Sequence, residues 1–317
     1  MAVTLAQSAL LSENDLQRGV IETFILESTI LDRIPLMEIE GNAYAYNEEA
    51  TLPGVEFRAV NAAYAESTGT VNQKTEALVI LGGDADVDKF IALTRSNLND
   101  QRATQTRMKV KAAVIKYQDT FFNGDVAVDA NAFDGLKKRL TGAQVIDGGA
   151  VSLPIVGASA ADQHAFFDQL DALLAAVAGG ANALYMNKSI RAKIRSAARR
   201  IGGWDQFRDD FGKVIETYNG VPLLDAGQRA DGTDIIPLNE ANGDASANNT
   251  SSIYAVRFGE DEGDQAVTGL IHSSGIQVDD LGELQVKPAY RTRIEMYCGL
   301  AVFGGKGSAR LRYVRNA

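Results

Sequence analysis

The 317-residue chain holds one cysteine, Cys298, and two histidines, His164 and His272. A single thiol excludes an intrachain disulfide and implies no oxidising compartment. With so few imidazoles and thiols, a structural zinc site lacks its usual ligands. Long apolar runs are missing too. The longest uncharged stretch, 172–187, is interrupted by Gly179-Gly180 and is too short to span a bilayer. Met1 to Leu11 has no basic start, and the first charges are Glu13 and Asp15, so no targeting segment is recognisable. These absences predict a soluble, intracellular chain. Positive charge is also in deficit: 31 Lys and Arg stand against 41 Asp and Glu, a net −10. That argues against wrapping nucleic acid by bulk charge while leaving room for local basic patches. What is present, 45% apolar and 23% charged residues, is the composition of a folded protein with enough chain for one large domain or two to three smaller ones.

Along the chain, Ser12 is a plausible N-cap, followed by Glu13 and Asp15 at the positive end of a helix. Leu16, Val20, Phe24, Ile30 and Ile34 recur largely at helical steps until Pro35 ends the pattern. The first fifty residues hold two cations against nine anions, a net −7, so this apolar stripe on an acidic arm calls for a basic surface to lie on. From 41 to 81 the pattern is strand-like. Tyr44/Tyr46, Val55/Phe57 and Leu78/Ile80 alternate around a small-residue stretch, Asn61 to Asn72, that reads as the tip of a projecting hairpin. Asp86 to Phe122 contains neither Gly nor Pro and predicts one helix of roughly 55 Å, with Asp84, Asp86 and Asp88 at its start and Asn123-Gly124 as its stop. Turns and short strands follow to Pro154. Helices are expected at 161–178 and 189–201, flanking a short strand at 183–186. From Thr233 the chain reads as β, with strands at 253–256, 266–271, 276–278, 294–302 and 309–314. The fold class is α+β.

Several local patterns imitate functional motifs and fail on spacing. Asp84-Ala85-Asp86-Val87-Asp88 resembles a calcium loop, but Lys89 and Arg95 occupy the positions that need Gly and Glu. Gly304-Gly305-Lys306-Gly307-Ser308 lacks the Lys-Ser/Thr pair of a phosphate loop. His272 precedes Ser273-Ser274 without a nucleophile elbow. No set of residues presents nucleophile, base and orienter together, and no cofactor is expected. Two basic features stand out instead. Lys188, Arg191, Lys193, Arg195, Arg199 and Arg200 lie on the 189–201 helix with no acid between them. They read as a solvated face, a nucleic-acid contact or a dock for an acidic partner. From Gln285 onward seven cations oppose only Glu295, a net +6.

The order of these pieces resembles the major capsid protein of tailed double-stranded-DNA bacteriophages, a fold shared with encapsulins and the floor of herpesvirus capsids. The resemblance covers nearly the whole chain. It rests on the arm, the hairpin, the long helix ending in Phe121-Phe122-Asn123-Gly124-Asp125, and the Gly135-Leu136 turn. Ala183-Leu184-Tyr185-Met186-Asn187, Tyr218-Asn219-Gly220-Val221-Pro222-Leu223 and the closing strand Arg293 to Val302 complete it. It implies an N-arm at 1–34, an E-loop at 41–80, a peripheral domain with spine helix from 35–40, 81–157 and 285–317, and an axial domain at 158–284. It further implies a non-enzymatic subunit that self-assembles through pentamers and hexamers into an icosahedral shell around double-stranded DNA. Such a subunit is assembled in the host cytoplasm and becomes part of the virion. Leu16, Val20, Phe24, Tyr44, Tyr46 and Lys74 are then the inter-subunit candidates, and the basic helix is the candidate for weak contacts with packaged DNA. A portal and, given that only about 34 residues precede the hairpin, a separate scaffolding protein are the other expected partners. Lys74 lies near the returning strand and not the tip, which disfavours a lysine cross-link. An encapsulin-type compartment is the alternative in the same fold, and an α+β enzyme with an unrecognised site the alternative outside it.

Overall fold

The structure is a computed structural model; it describes residues 28–95, 101–148, 153–157, 159–201, 205–208, 214–240 and 250–316. The inter-subunit candidates Leu16, Val20 and Phe24 lie outside these residues. The end of their stripe does not. Residues 29–33 form turns in place of the expected helix, with the Ile34 N–H donating to the Ile30 carbonyl at 2.8 Å. Ile30 and Ile34 are 0% and 1% exposed, so this part of the arm packs into its own subunit and needs no neighbour to cover it.

After Pro35 comes β1 (Leu36–Ile39), then β2 (Ala43–Thr51) and β3 (Thr70–Ala77), which pair antiparallel as an isolated two-stranded ribbon. Val55 and Phe57 lie in the irregular segment between these strands, not in a strand of their own. β4 (Val79–Asp88) leads into α1 (Lys89–Arg95) and α2 (Gln101–Asn123). The helix expected from Asp86 therefore starts at Lys89. Asp84 and Asp86 belong to a strand because alternate residues of this segment face alternately inward and outward. Asp88 alone serves the helix, its Oδ1 accepting from the Phe90 N–H at 2.8 Å.

Further on lie α3 (Leu136–Arg139), β5 (Val145–Asp147), β6 (Leu153–Pro154), α4 (Ala160–Ala175), β7 (Ala183–Met186) and α5 (Lys188–Ile201). Ser159 and Asp162 form a reciprocal capping box that starts α4. The chain ends with β8 (Asp205–Arg208), β9 (Val214–Tyr218), β10 (Val221–Asp225), β11 (Thr250–Val256), β12 (Val267–Glu283), β13 (Ala289–Val302) and β14 (Ser308–Arg315). β12 joins the two segments that the sequence pattern separates at 271 and 276, carrying them through an irregularity at 271–276. Among the described residues no helix is long and apolar enough to cross a membrane.

Two sheets result. One has the order β1-β12-β13-β4, and the other β5-β14-β11-β7-β10-β9-β8 with β6 paired to β14. Strand membership runs across the sequence ranges: β12 pairs with β13, and β14 pairs with β11. α2 fastens the sheets to one another. Its Val110, Val114, Tyr117, Phe121 and Phe122 are buried at three- and four-residue steps apart from the final pair. They share a core with Ile294 and Met296 of the first sheet and Tyr185 and Tyr254 of the second. On the far face of the second sheet, Phe166 and Leu170 of α4 and Ile190 and Ile194 of α5 pack against Leu184 and Met186. β7 is thus buried on both faces, which explains its uninterrupted apolar run.

Candidate assembly surfaces

The β2–β3 ribbon is held firmly at its root. Tyr46 is 4% exposed, packs edge-on against Phe303 at 4.9 Å and donates from its hydroxyl to the Val302 carbonyl at 3.3 Å. Burial, more than the neighbouring Glu76, pushes its hydroxyl up to about 12. Tyr44 donates to Glu262 at 3.2 Å. Arg139 of α3 forks onto Glu76 of β3, both side chains mostly buried. Lys74 is ion-paired with Glu48 across the ribbon at 2.5 Å. Tyr46 therefore faces its own subunit. Arg139, Glu76 and Phe303, which anchor the root, carry no sequence signal that links them, since they lie far apart in the chain.

Beyond the root the ribbon touches little. Every residue from 51 to 75 is exposed. Apolar side chains are included: Leu52 is 78% exposed, Val55 96%, Phe57 107% and Val60 90%. The tip is organised only by itself. The Ser67 hydroxyl donates to the Gly54 carbonyl at 2.9 Å, Glu56 accepts from the Ala65 N–H at 2.7 Å, and the Arg58 guanidinium lies over the Tyr64 ring at 5.1 Å. Large apolar groups left in water mark an interaction surface.

The charge distribution differs from the expectation for the C-terminal segment. Arg291 and Arg293 stand opposite Asp86 and Asp84 in the β13–β4 register and bind them through paired hydrogen bonds. Lys287 reaches Asp86 at 2.5 Å, Arg310 pairs with Glu240, and Arg312 pairs with Asp147. Five of the seven cations are thus neutralised within their own chain: strand pairing lays Asp84, Asp86 and Asp147 beside four of them, and Glu240 meets Arg310. They are not a free counter-surface for a neighbour's acidic arm.

The α5 face is different. Ile190, Ile194 and Ala197 point into the core, leaving Lys188, Arg195, Arg199 and Arg200 exposed and Arg191 and Lys193 partly so. Arg191 and Arg195 share one carboxylate, Glu216, at 3.9 and 2.8 Å. Lys193, Arg199 and Arg200 have no acidic partner among the described residues, whereas the charge of Lys188 acts on Asp234. Local positive charge therefore survives here in a net acidic chain. Of the motif-like histidines, His164 is exposed on α4, and His272 Nδ1 accepts from the Ser274 N–H at 3.1 Å while its ring packs edge-on against Tyr297.

This architecture is shared with solved shell proteins. The chain resembles the holo-SrpI encapsulin complex from Synechococcus elongatus at 19% identity, covering 100% of this chain and 98% of that one with a TM-score of 0.66. It resembles the capsid of a native GTA particle at 16% identity, covering 92% and 90% with a TM-score of 0.63. Mycobacterium phage Bobi gives 15% identity, 90% coverage of both chains and a TM-score of 0.60. The fold is that of phage capsid and encapsulin subunits. Within that class, residues 12–153 match the family model described as Major capsid protein GP7. That match spans less than half of the chain, and the capsid neighbours share its fold. No curated protein sequence matches the chain.

Proposed function

We propose that this chain is the self-assembling subunit of an icosahedral tailed-phage capsid enclosing double-stranded DNA, with no catalytic site of its own. The observation that carries this reading is the ribbon, whose fully exposed apolar segment 51–75 is anchored at one end and has nothing of its own subunit to cover it. A neighbouring copy completes it, as hydrophobic burial requires. In this reading 1–34 is the N-arm and 41–80 the E-loop. Residues 35–40, 81–157 and 285–317 form the peripheral region and 158–284 the axial one, with β12 and β14 pairing across that division. A separate scaffolding protein and a portal complete the assembly in the host cytoplasm, and the α5 face makes weak contacts with the packaged DNA.

Electron microscopy and light scattering of the purified protein test the reading. Closed shells or capsomer rings are expected, formed alone or with a scaffold partner. A monomer that persists at high concentration under both conditions overturns it. The encapsulin likeness supports a second reading, a compartment for protein cargo; shells from infected cells filled with protein and not DNA would establish it. Reversing Arg191, Arg195 and Arg199 to glutamate should lower the DNA content of particles without preventing assembly. Unchanged DNA content would remove α5 from that role.

A further inference from the structure

α2 carries positive charge that the bulk composition hides. Over Gln101–Asn123 five cations, Arg102, Arg107, Lys109, Lys111 and Lys116, oppose Asp119 alone, a net +4 in a chain of net −10. Arg102 is paired with Asp280, and Asp119 with Arg229. Arg107, Lys109 and Lys116 have no acidic partner among the described residues. An apolar stripe runs between these cations. At about 3.6 residues per turn, Met108, Ala112 and Ile115 share one face, bordered by Arg107 and Lys111 on one side and by Lys109 and Lys116 on the other. This face is turned away from the core residues Val110, Val114, Tyr117 and Phe121. Met108 is 61% exposed, Ala112 is exposed and Ile115 half-buried, so the described residues leave the stripe open.

The described part of the N-terminal arm starts beside this helix. Ser28 is buried, and its hydroxyl accepts from the Gln118 side-chain amide at 2.9 Å, one turn beyond Ile115. The residues before it hold Glu13, Asp15, Glu22 and Glu27 against Arg18, a net −3, and set Leu16, Val20 and Phe24 at four-residue steps. Asp15 and Glu22 are separated by the same seven residues as Lys109 and Lys116, so both acid–lysine pairs close in one register. The lengths agree as well. Residues 13–27 wound as a helix span about 22 Å, and so does α2 from Ala103 to Gln118.

We infer that residues 13–27 dock on this stripe of α2 within their own subunit, running in the same direction as the helix. Their apolar side chains cover Met108, Ala112 and Ile115, and their acids lie among the flanking cations. The attachment at Gln118 selects the same chain over a second copy, because a tethered segment meets the face at a high effective concentration. The apolar centre of the stripe selects a peptide over nucleic acid, whose phosphates would meet the cations but leave Met108 and Ala112 uncovered. Charge complementarity then fixes the register. The basic counter-surface of the acidic arm is thus α2 and not the C-terminal segment, most of whose cations are already paired. This placement gives the N-arm of the proposed shell subunit a location, and it holds before any shell forms.

Carbodiimide cross-linking of the full-length, unassembled subunit tests the placement, with an equal mixture of unlabelled and heavy-nitrogen-labelled protein read by mass spectrometry. Amide links are expected between peptides carrying Asp15 or Glu22 and peptides carrying Lys109 or Lys116, both halves of each link bearing the same label. Met108→Asp sets a carboxylate in the stripe and should lower their yield about tenfold, the scale of one lost apolar contact. Met108 is exposed, so that variant should fold, and circular dichroism checks it. Links that join a light half to a heavy half overturn the placement in favour of a second copy. Absent links, or an equal yield in Met108→Asp, overturn it outright. Absent links together with duplex-DNA binding that Arg107→Glu/Lys116→Glu abolishes would assign the face to nucleic acid instead. Because the links are read on unassembled subunits, their absence leaves shell formation untouched, and a lack of shells in micrographs leaves the links to be judged on their own.

Discussion

Arg293 and Asp84 face one another across β13 and β4 and are joined by two hydrogen bonds, Nε to Oδ1 at 2.8 Å and a terminal nitrogen to Oδ2 at 3.1 Å. Two residues along, Arg291 and Asp86 repeat the arrangement, so the outer face of the sheet carries a ladder of paired charge. The guanidinium beside Asp84 lowers its carboxyl below the usual range, and Arg291 with Lys287 does the same to Asp86. A carboxyl depressed in the folded state contributes stability that is complete above its unfolded value, about 3.9, and is lost as pH falls through the lower folded value. Thermal melts should therefore show the subunit weakening below about pH 4. The Asp84→Asn/Asp86→Asn double variant should start less stable at pH 7 and show a shallower acid limb. Asp147 and Asp280, also depressed by arginine partners, keep some slope in that variant. Parallel curves for the two proteins would contradict the ladder's role.

Gly135 closes the turn after α2. A Cβ there would sit 2.4 Å from the Thr120 carbonyl oxygen and 2.7 Å from the Gly124 nitrogen, both backbone atoms that cannot yield. Gly135→Ala is expected to destabilise the subunit by about 1–3 kcal/mol, the usual cost of overpacking. Urea unfolding measures this, and an unchanged midpoint would refute the close approach.

Two phenylalanines should behave oppositely. Phe122 is fully buried, with Tyr185 at 5.5 Å and Tyr254 at 5.2 Å between ring centroids. Phe122→Ala should cost about 3–5 kcal/mol. Phe57, fully exposed on the ribbon, should change subunit stability by less than about 0.5 kcal/mol when cut to alanine. It should nevertheless reduce shell yield in electron micrographs. Loss of subunit stability in Phe57→Ala would place that ring in its own core.

Replacing residues 52–69 by a two-residue Asn-Gly turn should leave a folded subunit, because none of those residues is buried. Circular dichroism should be nearly unchanged while shells disappear. A shortened ribbon that unfolds the subunit would show that the tip supports its own chain and not a neighbour.

Cys298 is 1% exposed on β13, and burial pushes its thiol up to about 12. The folded subunit should resist a thiol reagent such as DTNB at pH 8 and react only as denaturant opens the sheet. Rapid labelling in native buffer would contradict the burial.

The sequence by itself determined the elements whose physics is local. Periodicity marks the apolar faces of α2, α4 and α5 and the doubly buried β7, and weak apolar content marks the projecting ribbon. The strand segments of β11 to β14 follow from alternation and turn residues. Element order together with short loose motifs supported the capsid resemblance. What the sequence left open depends on pairing between distant residues. Asp84 and Asp86 look like acids before a helix until β13 lies beside them. The +6 terminal segment looks like a free basic surface until the fold sets Arg291, Arg293, Arg310 and Arg312 beside Asp86, Asp84, Glu240 and Asp147. Ile30 and Ile34 look unpartnered until the turn at 29–33 folds them into the core. Tyr46 and Phe303, and Arg139 and Glu76, lie far apart in the chain and meet only in the folded subunit. Local propensity acts over a few residues, whereas charge pairing and burial act between whatever the chain brings together. Those partners are set by tertiary structure.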